Sequence, residues 1–272
     1  MLQYFDVTVE HRLIMYVRRA EMDRITSRKN PFIAQLRALA ADASLRREQG
    51  CFVCDGTKLL GEAADNGAEI LSVLWKEGGA AGEIDCPAQF LAPADLFDYA
   101  SAMKNSPGPL FTVRMREEDA PGRIDSAILL ENVQDPGNVG TVLRTASAFS
   151  VDAVVLTGDC ADLYGPKTVR ATMGAIFRQR VFRLELDELP AWLEKHGLPL
   201  YGAALSPQAR DLREVDLTRA AVAVGSEGQG LSRELLALCR GEVIIPMDAR
   251  SESLNAAVAA SVLMWEMTRE KR

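Results

Sequence analysis

Three short apolar runs constrain this chain most: AILL at residues 127–130, AVVL at 153–156 and AVAV at 221–224. Each is bounded by turn residues and carries no alternation of apolar and polar positions. Strands that read this way are buried on both faces, as in a parallel sheet covered by helices on each side. The segments between them supply those helices. VGTVLRTASAF (139–149), KTVRATMGAIF (167–177), LDELPAWLEKHG (186–197), SRELLALC (232–239) and SLNAAVAASVLMWEMTREK (253–271) all show helical patterning. RVFRL (180–184), PLYGAAL (199–205) and EVIIPM (242–247) add further strands. The second half is therefore an α/β unit with a mostly parallel sheet.

The first half alternates in the same way. Residues 31–48 are predicted as one helix, with Asn30 as cap and Pro31 in the first turn. CFVC (51–54) reads as a strand running into a turn, TKLLGEAADNG (57–67) as a helix stopped at Gly67, AEILSVLW (68–75) as a strand and APADLFDYAS (92–101) as a helix. LFTVRMR (110–116) is one more strand, followed by the charged turn EEDAPGRID. The punctuation places a boundary near residue 120, giving units 1–120 and 121–272. A chain of 272 residues suits two ordinary domains.

Several function classes fall away at this point. No apolar run is long enough to span a bilayer. The N-terminus, MLQYFDVTVEHRLIMYVRRA, lacks a basic start followed by an apolar block, so we expect a cytoplasmic protein without membrane contact. The cysteines at 51, 54, 86, 160 and 239 are odd in number, and the chain has only two histidines, so the lone CFVC pair predicts reduced thiols and no metal site. Net charge is −7, but residues 12–47 hold nine Lys/Arg against three Asp/Glu, and 166–183 hold five with no acid. Two basic segments on an acidic chain make a local phosphate-binding face, and a solvated helix face is the plainer alternative for each.

In a doubly wound sheet, ligands bind beyond the carboxyl ends of the strands. Three strand-end loops stand out: NVQDPGNVG (132–140), VGSEGQGLS (224–232) and IPMDARSESLN (245–255). Singly, each has an ordinary explanation. Asn138 suits a helix N-cap, GSEGQG a glycine-rich turn, and Ser251-Glu252-Ser253 a cap for the last helix. GxxGxG is neither the dinucleotide fingerprint nor a P-loop. Together the loops bring backbone donors, glycines, Asn, Glu and Ser to one end of a sheet, where a ligand with a purine, a ribose and a charged tail is held mainly by backbone atoms.

ENVQDPGNVGTVLRTA, VGSEGQGLS and IIPMDARSESLNAAVAA resemble, in order and spacing, the three motifs of the SpoU (TrmH) branch of the SPOUT RNA methyltransferases. PKTVRATMGAIF is similar to the segment between the first two. The resemblance covers roughly 125–272, and the first half is similar to the L30e-like RNA-binding domain that precedes the catalytic domain in many members. It implies a SPOUT α/β sheet with a C-terminal trefoil knot, S-adenosyl-L-methionine as cofactor, a homodimer, and 2′-O-methylation of an RNA ribose, with ribosomal RNA as the expected substrate. Carried over by motif position, Asn138, Arg144, Glu227, Ser253 and Asn255 become the candidate catalytic residues. Gly225, Gly228, Ile245, Met247 and Leu254 become the candidate cofactor-binding residues. The final helix, with Val258, Ser261, Val262, Trp265 and the small residues Ala256, Ala257, Ala259 and Ala260, is the expected dimer face, with core packing as the alternative for about half of them. The chain departs from common family patterns at Ser226, in SLNAAVAA, and at Cys54, where relatives often carry Glu. A transfer RNA ribose methyltransferase, a non-catalytic RNA-binding assembly factor and a base methyltransferase are the competing readings.

Overall fold

The computed structural model describes residues 22–79, 84–116, 122–248, 250 and 253–269. The N-terminal segment read above for its lack of a leader, most of the charged turn after residue 116, and Ser251 and Glu252 lie outside the described residues. The chain divides into two compact units, Met1–Met115 and Arg116–Arg272.

The first unit is built on a five-stranded mixed sheet. Its strands are β1 (Asp23–Arg24), β2 (Cys51–Asp55), β3 (Ile70–Lys76), β4 (Ala88–Ala92) and β5 (Leu110–Arg114), in the order β1-β4-β3-β5-β2. The expected single helix over 31–48 is two: α1 (Pro31–Ala41) and α2 (Ala43–Gln49). Asp42 causes the break. Its backbone is extended, and its side chain accepts from Ser44 N and Leu45 N, capping a new helix where the old one ends. Asn30 caps α1 as expected, accepting from Phe32 N at 2.8 Å. Helices α3 (Thr57–Asp65) and α4 (Ala94–Ala100) complete the unit. Cys51 and Cys54 lie buried in β2 as free thiols. Among the described residues no group of three or more His, Cys, Asp or Glu side chains gathers as a metal site.

The second unit carries a seven-stranded sheet that is parallel throughout. Its strands are β6 (Ser126–Glu131), β7 (Ala153–Thr157), β8 (Arg180–Arg183), β9 (Leu200–Ala203), β10 (Arg210–Asp211), β11 (Ala220–Val224) and β12 (Gly241–Ile244), ordered β10-β12-β9-β11-β6-β7-β8. Its helices are α5 (Pro136–Phe149), α6 (Pro166–Ala171), α7 (Leu189–His196), α8 (Arg233–Leu238) and α9 (Ala256–Met267). The three apolar runs are its central strands, and they are buried on both faces. Ile128, Leu130, Val154, Leu156 and Val222 pack against Val139, Val142, Leu143 and Ala146 of α5 and Ala260, Leu263 and Met264 of α9. Ala127, Leu129, Val155, Ala221 and Ala223 face Leu189, Trp192 and Leu193 of α7 and Leu235 of α8. Alternate residues of one strand thus serve two cores. The helix expected across 167–177 ends at Ala171. Met173 (φ 51°) and Gly174 (φ 97°) break it, and Ala175–Phe177 is a separate 3-10 turn. No helix among the described residues is long and apolar enough to cross a membrane.

Candidate functional site

Strands β6 and β11 are neighbours, with Leu130 opposite Val224, so the loops leaving their carboxyl ends start side by side. Glu131 ends the first strand, and Gly225 follows the second. The chain reaches α5 through an extended Asp135 and a first-turn Pro136, and Asp135 is the cap: its carboxylate accepts from Asn138 N at 2.8 Å. Asn138 is therefore not the N-cap that its sequence position allows. Its side chain is left for other work.

That work is visible in the contacts. Asn138 Nδ2 donates to Glu227 Oε1. Asn255 Nδ2 donates to Asn138 Oδ1 at 3.1 Å and also reaches Glu227 Oε1 at 3.2 Å. Ala256 N adds a donor to the same carboxylate oxygen at 3.3 Å. Asn255 Oδ1 caps α9, accepting from Ala257 N at 3.0 Å and Val258 N at 3.2 Å. One side chain from each loop thus joins a closed polar triangle. The carboxylate sits at the N-terminus of α9, where the helix dipole favours negative charge. The second oxygen of Glu227 takes no partner among the described residues. Glu227 and Asn255 are exposed and Asn138 is half-buried, so the triangle is open to a ligand on one side.

Glycine shapes the middle loop. A Cβ at Gly225 would stand 2.1 Å from the carbonyl carbon of Gly230 and 2.6 Å from Leu231 N, so only glycine fits there. Gly230 N donates to Ser226 O at 2.9 Å, closing the loop, and Gly230 takes φ +67°. At Gly228 a Cβ would meet nothing within 4 Å, which leaves that backbone accessible. Ile245, Met247 and Leu254 are half-buried, and Ile245 packs on the core beneath.

The structure does not hydrogen-bond Arg144 or Ser253 to the triangle. Arg144 is exposed on α5 and has no partner among the described residues. Six residues beyond Asn138, it is turned by roughly 120° around the helix. It shares its stripe with Gly140, whose missing Cβ lets α6 approach (the added atom would lie 2.4 Å from Ala171 Cβ), and with Ser147, which accepts from Arg178 Nε at 2.8 Å. Ser253 is exposed at the start of the last described segment.

One residue of this region was not singled out from sequence. Glu131 is 4% exposed and accepts from Ser232 N at 2.7 Å and Ser232 Oγ at 2.6 Å. Ser232 in turn caps α8 by accepting from Leu235 N at 3.1 Å. The far end of the glycine loop is thereby tied to the end of β6. The sequence signal is an acid closing an otherwise apolar strand, but its partner lies 101 residues away. Nearby, burial first, then the carboxylates of Glu242 and Glu131, push the Cys239 thiol up to about 11.

Comparison with known proteins follows this geometry. Residues 125–265 match the SpoU rRNA Methylase family. An uncharacterized tRNA/rRNA methyltransferase of Synechocystis is 34% identical over 94% of this chain and 97% of its own length. A Bacillus subtilis 23S rRNA (guanosine-2′-O)-methyltransferase is 30% identical over 90% of this chain and 99% of its own. The crystal structure of an AdoMet-bound rRNA methyltransferase from Sinorhizobium meliloti superposes with a TM-score of 0.81 at 26% identity, covering 92% of this chain and 98% of that one. With the family match over more than half its length, and relatives matching it nearly end to end, the chain belongs to the SpoU rRNA methylase family.

Proposed function

We propose that this protein methylates the 2′-hydroxyl of a ribose in ribosomal RNA, using S-adenosyl-L-methionine, as a cytoplasmic homodimer. The observation that carries the reading is the triangle of Asn138, Glu227 and Asn255, which joins three strand-end loops through their side chains. The loops suit the cofactor. Gly225 and Gly230 fold the 225–231 segment tightly, Gly228 leaves its backbone open, and Ile245, Met247 and Leu254 are half-buried apolar side chains of the third loop. The cofactor, when bound, supplies an electrophilic methyl group.

The residues of the chain supply the rest. A ribose hydroxyl is a weak acid and a poor nucleophile, so it needs alignment and loss of its proton. The guanidinium of Arg144, with no carboxylate partner among the described residues, favours the ribose oxyanion and the adjacent phosphate. Asn138 and Asn255 orient the ribose. Within the triangle, the unpartnered oxygen of Glu227 is the group able to accept a proton. Ser253, exposed two residues before Asn255, is the remaining candidate of the third loop. The match to an rRNA enzyme runs through both units of the chain, which favours ribosomal over transfer RNA and supports reading the first unit as an L30e-like RNA-binding domain. Retention of the whole triangle weighs against a non-catalytic role. For the dimer, Val258 (49% exposed), Val262 (37%) and Trp265 (50%) form an apolar stripe on α9, while Ala256, Ala257 and Ala260 go to the core. The strand order, with β12 inserted between β9 and β10 before the chain returns to α9, is compatible with the knot that the family implies.

The test is methyl transfer from labelled cofactor to unmodified ribosomal RNA, with transfer RNA in parallel. Incorporation into ribosomal RNA supports the reading. Incorporation into transfer RNA alone overturns the substrate class.

A further inference from the structure

Three of the described cations of the first unit are each paired with a carboxylate. Arg24 pairs with Glu77 at 2.6 Å, Lys76 with Asp98 at 2.6 Å, and Arg114 with Glu69 at 3.1 Å. Arg28 and Arg37 behave differently. Both are exposed, and both guanidinium groups lie on the ring of one residue, Tyr99, at 4.6 Å and 4.1 Å from its centroid. Arg37 also donates through Nη1 to the Tyr99 carbonyl. Neither has a carboxylate partner among the described residues. Tyr99 comes from α4, Arg37 from α1 and Arg28 from the segment before it, so the tertiary fold, not sequence proximity, collects the two cations.

A cation held on an aromatic face is positioned but not neutralised. Two such cations on one half-buried ring concentrate positive charge at a point where neither has a carboxylate partner among the described residues. The planar fork of a guanidinium matches phosphate oxygens, and two forks fixed on a common ring present donors to one phosphate or to two successive ones. Phe32 near the start of α1 packs on Phe90 of β4, ring centroids 4.6 Å apart and tilted by 42°, which ties the helix that carries Arg37 to the sheet.

We infer that Arg28, Arg37 and Tyr99 form an RNA-backbone phosphate site on the first unit, separate from the methyl-transfer loops. The inference rests on the RNA substrate proposed above, and it names the residues by which the accessory unit grips that substrate. Each phosphate contact contributes about 0.7 to 0.9 to the slope of log affinity against log salt. Replacing both arginines with alanine therefore flattens that slope by about 1.4 to 1.8.

The experiment measures binding of the full-length chain and its variants to a ribosomal RNA fragment between low and moderate salt, with methyl transfer recorded in parallel. Arg28→Ala/Arg37→Ala is expected to show the flatter slope and a raised KM for RNA with kcat retained. Arg28→Lys/Arg37→Lys, which keeps the charge, is expected to keep most of the slope. Arg24→Ala, whose guanidinium already holds Glu77, is the control and leaves the slope unchanged. An unchanged slope in the double alanine variant overturns the site, as does a lysine variant as flat as the alanine one. Steep, Arg28/Arg37-dependent binding by a wild-type chain that methylates no RNA would overturn the proposed reaction and leave this site standing.

Discussion

Glu131→Gln is the most informative single change, because it replaces one carboxylate oxygen by an amide nitrogen and removes no bulk. Ser232 Oγ accepts from Leu235 N at 3.1 Å, so its own proton is directed at Glu131 Oε1, 2.6 Å away, while Oε2 accepts from Ser232 N at 2.7 Å. A glutamine keeps one of these acceptors. Its amide group must face either the backbone N–H, whose bond is then lost, or the hydroxyl, whose proton must then turn away from the position it holds now. A hydrogen bond to a charged acceptor is worth about 1.5–3 kcal/mol and a neutral one about 0.5–1.5 kcal/mol. Losing one and neutralising the other costs about 3 kcal/mol in this buried position. The second unit spans 116–272, and a domain of that size loses about 2–4 °C of Tm per kcal/mol, so its transition falls by about 6–12 °C. Calorimetry of the full-length chain measures this. Because Ser232 closes the 225–231 loop, cofactor affinity falls as well. A transition within about 1 °C of wild type, with cofactor affinity intact, would refute the claim that Glu131 fixes the loop.

Further expectations concern the site and its surroundings. Arg144→Ala abolishes methyl transfer while calorimetric cofactor binding stays close to wild type; turnover within a few-fold of wild type removes Arg144 from the chemistry. Gly225→Ala forces a Cβ into the backbone at Gly230 and Leu231, so cofactor affinity drops at least tenfold, read by titration; an unchanged Kd contradicts the close approach. Cys239 has its thiol raised to about 11, so its alkylation rate keeps climbing about tenfold per pH unit past 9, and a plateau near 9 would count against that environment. The sign for stability follows. The unfolded thiol ionises near 9.0, so the stabilisation from burying the neutral thiol is complete below that pH and is lost as pH rises toward 11.

Much of this was legible in the chain. The continuous apolar runs stated that β6, β7 and β11 would be covered on both faces, because no strand with a wet face affords such residues. The three loops could be read as a group because turn residues at strand ends are local signals. What stayed hidden depended on distant partners or on competition between neighbours. Asp135 and Asn138 are both competent caps, and only the extended backbone at 135 decides between them. Asp42 splits one helical pattern into two because its side chain captures Ser44 N and Leu45 N, an interaction that periodicity does not register. The start of α9 moves to Ala256 for the same reason, since Asn255 is its cap. Strand β4 (Ala88–Ala92) carries no sustained apolar run and owes its existence to pairing with β3. The salt-bridge and ring partners of Arg24, Arg28 and Arg37 were invisible as well, since the basic segment 12–47 reads as a uniform charge run.

The central claim is that the methyl group goes to a ribose oxygen, and the product's behaviour in alkali tests it directly. A free 2′-hydroxyl is the internal nucleophile of alkaline RNA cleavage, so methylating it protects a single phosphodiester bond. Ribosomal RNA lacking the modification is incubated with the chain and cofactor, hydrolysed in alkali and mapped along the strand. The account predicts one new resistant bond, absent with Arg144→Ala, and a 2′-O-methylated nucleoside at that position by mass. Label incorporated into RNA that alkali still cleaves at every bond would place the methyl on a base and contradict the account.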